Sequence, residues 1–243
     1  MVNREPQRGD VLVLVGTAKG GFLFWSDPDR REWRHTFHHP GWDIYHMIYD
    51  QRDGTVYAAA NSFALGGIVQ ESRDLGQSWS HQNQGMEYPA EAPHQLTRVW
   101  HVEPGPDSEP GSIYAGVERA GLFRRQTHDG DWEPVDTLNN HPTAESWEPG
   151  GGGLCLHTIF FEPEDPSRLY AAVSAGGGYR SDDGGSSWQP INRGVRADFL
   201  PNPYPETGQC VHKMALHPKR PQVLFQQNHC GVYRSNDRGD NWV

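Results

Sequence analysis

What the 243-residue chain lacks narrows its fold before any motif is read. It carries only four methionines and three cysteines, no block of five or more Lys/Arg, and no apolar stretch longer than the one around Val11 to Val15. That stretch is far short of the roughly 20 apolar residues a membrane-spanning helix needs. Met1 to Asp10 is charged and has no apolar core of the kind a secretory signal requires. Cys155, Cys210 and Cys230 make an odd count with no disulfide framework, which suits a reducing compartment. A soluble, cytoplasmic protein with no membrane partner is expected. The net charge of −10 would repel a phosphate backbone, so no nucleic-acid partner is expected either.

What is present is turn chemistry and large aromatics: 28 glycines, 19 prolines and nine tryptophans. Such a composition breaks long helices and favours many short strands. Within it a repeat stands out. Ser72 to Trp79, Ser181 to Trp188 and Ser235 to Trp242 all read S-x-D-x-G-x-x-W. Two weaker copies lie where the period requires them: Ser26 to Trp33, with Pro28 at the Asp position, and a shortened Thr127 to Trp132. The anchor tryptophans Trp33, Trp79, Trp132, Trp188 and Trp242 recur at about the length of one propeller blade.

The motif has a mechanical reading. Its Asp can accept backbone N–H groups of its own turn, its Gly supplies a positive φ, and its Ser ties the start of the turn. The Trp then buries its ring between neighbouring sheets. A short strand ending near an aromatic and Arg precedes the motif, as in Gly178 to Arg180 and Val232 to Arg234, and another apolar strand precedes that, as in Leu169 to Val173. Four strands per repeat, with the motif between the third and the fourth, make a propeller blade.

On these residues the chain resembles the Asp-box, or BNR-repeat, β-propellers, the superfamily that includes sialidases and other glycoside hydrolases. It is similar to bacterial BNR-repeat proteins described as glycosyl-hydrolase-like. The resemblance covers essentially the whole chain and implies an all-β fold of four-stranded blades. A single domain over 1–243 is expected, with blades at about 10–40, 41–85, 95–136, 153–192 and 209–243. The first blade starts at strand B, at Val11, and the sequence stops after the last motif, so about five blades of an incomplete ring of six to eight are expected. The Arg-Ile-Pro segment that sialidases carry is absent, and the spacing of Arg98, Arg119 and Arg196 singles out no arginine cluster.

Strands of a blade alternate in direction, so all the motifs should lie on one face and the long connections between blades on the other. Those connections, His81 to Thr97, Asp136 to Gly153 and Asn192 to Gln209, combine stiff prolines, aromatics and carboxylates. Long loops of that kind suit a groove for a polar ligand. Ligand contacts are expected from Trp147, Arg196, Tyr204, His157, His212, Asn228 and His229. Catalytic work would fall to Glu148, Asp198 and Glu145, since a glycosidase needs two carboxylates flanking the bond. Glu118 and Glu206 are further carboxylates on that face. Two inner strands begin alike, Cys155-Leu-His157 and Cys210-Val-His212, and the segment 228–230 can approach the second pair. Packing or ligand contact is expected of them, with no metal and no cofactor. The function expected is binding of a carbohydrate or small polar ligand, with glycoside hydrolysis or docking of a protein partner as the alternatives.

Overall fold

The computed structural model describes residues 5–92 and 94–243. They form five antiparallel sheets with almost no helix, in the arrangement of a multi-bladed β-propeller. The first sheet contains β1 (Val11–Thr17), β2 (Gly20–Ser26) and β3 (Trp33–His38); the second contains β4 (Asp43–Tyr49), β5 (Val56–Ser62) and β6 (Gly66–Ser72). The third has four strands, β7 (Val99–Pro104), β8 (Ile113–Val117), β9 (Leu122–Arg125) and β10 (Trp132–Pro134). So does the fourth, with β11 (Leu156–Glu162), β12 (Asp165–Val173), β13 (Gly177–Ser181) and β14 (Gln189–Pro190). The fifth holds β15 (Lys213–Leu216), β16 (Leu224–Asn228) and β17 (Gly231–Ser235). Strands within each sheet pair in sequence order, as a meander.

The inner strands stack in succession, β4 on β7, β7 on β11 and β11 on β15. The first sheet joins the row through β1, which packs on β4. No comparable contact joins β15 to β1 among the described residues. The S-x-D-x-G-x-x-W turn follows the third strand in the second, fourth and fifth sheets, but its degenerate copy at Ser26 to Trp33 follows β2. By that measure β1 occupies a second-strand position. Close packing agrees: a methyl at Gly16 of β1 would lie 2.4 Å from the Ile44 carbonyl oxygen, and one at Gly116 of β8 would lie 2.2 Å from that of Leu156.

The second strands of the second, third and fourth sheets are covered on both faces by adjacent sheets, which explains their composition. Val56 to Ala60 in β5 are completely buried, and Leu169 to Val173 in β12 nearly so. Both segments alternate small residues with a single Tyr, because sheets that converge toward a common axis leave space for alanine and little more.

The three full turns share one hydrogen-bond scheme. In Ser181 to Trp188, the Gly185 N–H donates to Ser181 Oγ at 2.8 Å, and the Ser187 N–H and hydroxyl donate to Asp183 at 2.8 and 2.6 Å. The same bonds recur around Asp74 and Asp237, and the glycines Gly76, Gly185 and Gly239 have φ of 88°, 88° and 94°. A carboxylate accepting several N–H and O–H bonds is held in its charged form, which depresses the Asp74 pKa to about 2 and lowers those of Asp183 and Asp237.

Each tryptophan packs on the sheet before its own. Trp132, Trp188 and Trp242 are buried in three successive inter-sheet cores, and Trp79 is half-buried in a fourth. Trp33 departs from the expected burial and is 43% exposed. It belongs to the first sheet, and no sheet precedes that one among the described residues to cover its ring.

Candidate functional site on the loop face

A meander puts the connections between sheets at the opposite end from the third-to-fourth-strand turns. The segments 144–150 and 197–210 accordingly meet the second-to-third-strand turns around Ala175 and His229, and enclose a cavity of about 410 Å³. Glu148, Phe199, Thr207, Cys210 and His229 line it, and its walls are more apolar than polar. Two sequence-predicted residues, Glu148 and His229, come together here. Both are exposed.

The other expected residues divide by the partners that already occupy them. Trp147 stands in the core rather than on the surface: it is 6% exposed, and its indole N–H donates to the Tyr179 hydroxyl at 2.8 Å. Asn228 is buried and holds its own turn, accepting the Cys230 and Gly231 N–H groups and donating to the Arg196 carbonyl at 2.8 Å. Arg196 and Asp198 are exposed and paired with each other. Tyr204 is 57% exposed and does not line the cavity. Glu145 is exposed in the 3-10 turn Ala144–Ser146 and faces a separate depression beside Tyr88 and Arg119. Glu148 is therefore the single carboxylate among the described residues lining the 410 Å³ cavity.

His157 is spent on architecture. Its Nε2 meets the Val211 carbonyl at 2.8 Å and its Nδ1 meets the Thr158 hydroxyl at 3.0 Å, so both ring nitrogens are engaged between the fourth and fifth sheets. It belongs to a ladder that the Cys-x-His pattern does not reveal. His46, His101, His157 and His212 recur with the blade period, one near the start of each inner strand. His101 Nε2 faces the Ile159 carbonyl at 3.2 Å, as His157 faces Val211, and the rings of His46 and His101 stack at 3.9 Å. Burial disfavours the imidazolium, holding the pKa of His46 near 2 and that of His101 near 3. A signal does exist in the sequence: a histidine two residues after Ile44, Val99, Cys155 and Cys210. The first two members lack the cysteine that marks the others.

His212 is the last member of the ladder among the described residues, and it is exposed. Its ring instead turns to His229, with Nε2 to Nε2 at 3.3 Å and the ring planes at 90°. Its Nδ1 donates to Gln227 Oε1 at 3.2 Å. The orientation of that amide is fixed, because Gln227 Nε2 donates to the Asn228 carbonyl at 2.8 Å. Cys210 is 7% exposed, with its Sγ within 4.8 Å of a nitrogen of each ring and 3.8 Å from Ser174 Oγ. A second cavity, of about 520 Å³, lies on the turn face beside Asp50, Arg52 and Glu103. Its arginine is consumed by Asp50 and by four loop carbonyls between Gly105 and Ser112.

No protein-family model matches the chain, and no curated protein does. Solved structures do match. The GH74 xyloglucanase from Xanthomonas campestris aligns over 97% of this chain and 36% of its own, with a TM-score of 0.61 and 16% identity. An ancestral GH74 enzyme aligns over 82% of this chain and 23% of its own, with a TM-score of 0.58 and 20% identity. YCF48 from Cyanidioschyzon merolae aligns over 92% of this chain and 65% of its own, with a TM-score of 0.55 and 16% identity. The chain thus spans between about a quarter and two thirds of the length of these proteins. At such identities the likeness is one of fold, and the fold is that of other propeller proteins. No helix among the described residues is long and apolar enough to cross a membrane.

Proposed function

We propose that this chain is an Asp-box propeller of the sialidase-like kind that binds a carbohydrate or other small polar ligand in the loop-face cavity lined by Glu148 and His229. One observation carries the reading. The cavity is built from the loops that differ between sheets, and it sets an exposed aromatic, Phe199, and a carboxylate, Glu148, beside the hydroxyl-bearing Thr207 and the imidazole of His229. An apolar wall with a few convergent polar groups is what sugars and similar ligands require. The presence of carbohydrate-active enzymes among proteins of this fold supports the same class. The five sheets serve as the blades of one domain in this reading, and free thiols at Cys155, Cys210 and Cys230 suit the cytoplasm.

The hydrolase alternative needs a second carboxylate about 5 to 9.5 Å from the first. Asp198 is the nearest candidate in sequence, and its pairing with Arg196 engages it elsewhere. Binding without cleavage is therefore the preferred reading, with docking of a protein partner third. Screening neutral sugars and sugar acids by calorimetry tests it. Glu148→Gln and Phe199→Ala should each weaken a bound sugar at least tenfold without lowering the melting temperature. A ligand held equally well by both variants would refute the assignment, and release of a reducing sugar that Glu148→Gln abolishes would establish the hydrolase instead.

A further inference from the structure

We infer that Cys210, His212 and His229 form a metal site for Zn²⁺ at the rim of the loop-face cavity. Their ligand atoms, one thiol sulfur and two imidazole nitrogens, all lie within 4.8 Å of one another. The separation of the two imidazole nitrogens, 3.3 Å, matches the about 3.3 Å edge that a tetrahedral ion with Zn–N bonds of about 2.0–2.1 Å imposes. In the ion-free protein the same contact is an N–H···N hydrogen bond between the two rings.

Tautomer chemistry gives a second, independent support. Gln227 cannot rotate its amide without losing the Asn228 carbonyl, so it presents Oε1 to His212 Nδ1, which must then carry the proton. The lone pair of His212 is left on Nε2, which lies 3.3 Å from His229 Nε2. A ligating histidine whose other nitrogen donates to a fixed acceptor is the usual outer-shell arrangement of protein zinc sites. His101 and His157 occupy equivalent strand positions but direct Nε2 at a neighbouring backbone carbonyl. Among the described residues His212 Nε2 instead meets His229 Nε2.

Thiolate and imidazole together suit a borderline-soft divalent cation better than calcium or magnesium. Binding would release the Cys210 thiol proton to solvent as the sulfur becomes a ligand. Three protein ligands leave one position of a tetrahedral ion unfilled. Cys210 and His229 both line the cavity, so the ion borders the space in which the polar ligand is placed. The inference stands without the carbohydrate reading and is tested without any sugar.

The full chain, stripped with a chelator, is titrated with Zn²⁺ against a chromophoric competitor, and separately with Co²⁺ as a spectroscopic substitute. One ion per chain is expected, and Co²⁺ should give the intense visible bands of tetrahedral coordination with a thiolate charge-transfer band in the near ultraviolet. Cys210→Ser should abolish the thiolate band. His229→Ala, an exposed position whose replacement leaves the core untouched, should weaken binding at least tenfold, and Gln227→Leu by roughly 10- to 100-fold through the lost outer-shell bond. Cys230→Ser should change nothing. Absence of a stoichiometric ion, or binding that survives both His229→Ala and Cys210→Ser at unchanged affinity, overturns the site. Sugar binding that fails while zinc binding persists counts against the proposed function alone.

Discussion

The two faces of this propeller are built on opposite principles. On the turn face, Ser72, Ser181 and Ser235 organise the same hydrogen bonds, accepting the Gly76, Gly185 and Gly239 N–H groups at 2.7, 2.8 and 2.8 Å. On the loop face the connections share only an asparagine tie, Asn83, Asn139 and Asn192 accepting the Val69, Leu122 and Gly178 N–H groups at 3.0, 2.8 and 2.7 Å, and the rest of each connection differs. One holds a buried tryptophan, Trp147, another an exposed arginine–aspartate pair, and the long segment 197–208 reaches over the Cys210 and His229 side chains. Repetition on one face fixes the spacing of the sheets, and the connections vary beyond the few residues, such as Trp147, that they send into the core.

Removing a turn-face anchor tests that contrast most severely. Trp188→Ala deletes a ring that is 8% exposed between the third and fourth sheets and should cost about 3–5 kcal/mol in chemical denaturation. Sugar and zinc binding, measured where the variant remains folded, should be unaltered; a variant that unfolds like the wild type would show that the ring bears no inter-sheet load. Ser181→Ala is milder. It strands the buried Gly185 N–H and should cost about 1–3 kcal/mol. A loss well below that range would mean that water replaces the hydroxyl.

Between the faces, the histidine ladder predicts a pH dependence. His101 is 3% exposed, and burial depresses its pKa to about 3, from an unfolded value of about 6.5. Its contribution is therefore complete above about pH 6.5 and is lost as the pH falls toward 3, at up to about 1.4 kcal/mol per unit, because the unfolded chain binds a proton that the folded chain refuses. Glu103, 3.4 Å from His101 Nε2, acts in the opposite sense: burial raises its pKa to about 8, so its contribution is present at low pH and is lost as the pH rises from about 4.5 toward 8. His101→Gln should flatten the acid limb of a stability–pH profile measured by urea unfolding, and Glu103→Gln the neutral-to-alkaline limb. Limbs unchanged by both substitutions would place the titrating groups elsewhere. The smallest effect is expected on the loop face, where Arg196→Ala breaks an exposed ion pair and should move stability by no more than about 0.5 kcal/mol. A larger loss would show that this loop supports the fold after all.

Most of the fold is legible in the sequence because its determinants are local. A turn whose Asp, Ser and Gly bond to their near neighbours forms the same way wherever it occurs, so its recurrence at a blade-sized period exposes the architecture directly. The candidate site is legible only in part. Glu148 and His229 follow from loop chemistry, whereas Trp147 and Asn228, equally suggestive as letters, prove to be buried and bonded to their own surroundings. His46 and His101 are marked only by the blade-period recurrence of a histidine, because they lack the cysteine that draws attention to His157 and His212.

The strand repeat, the turn chemistry and the segregation of variable loops to one end are thus properties of the sequence itself. Whether a given histidine is a structural tie or a free ligand is a matter of packing between distant segments. His157 and His212 stand at equivalent points of two inner strands, and their neighbours differ: the first has the Val211 carbonyl 2.8 Å away, while the second meets His229 Nε2 at 3.3 Å. A side chain's available lone pair depends on what packs against it, and for His157 that neighbour arrives from the next sheet, a full blade further along the chain.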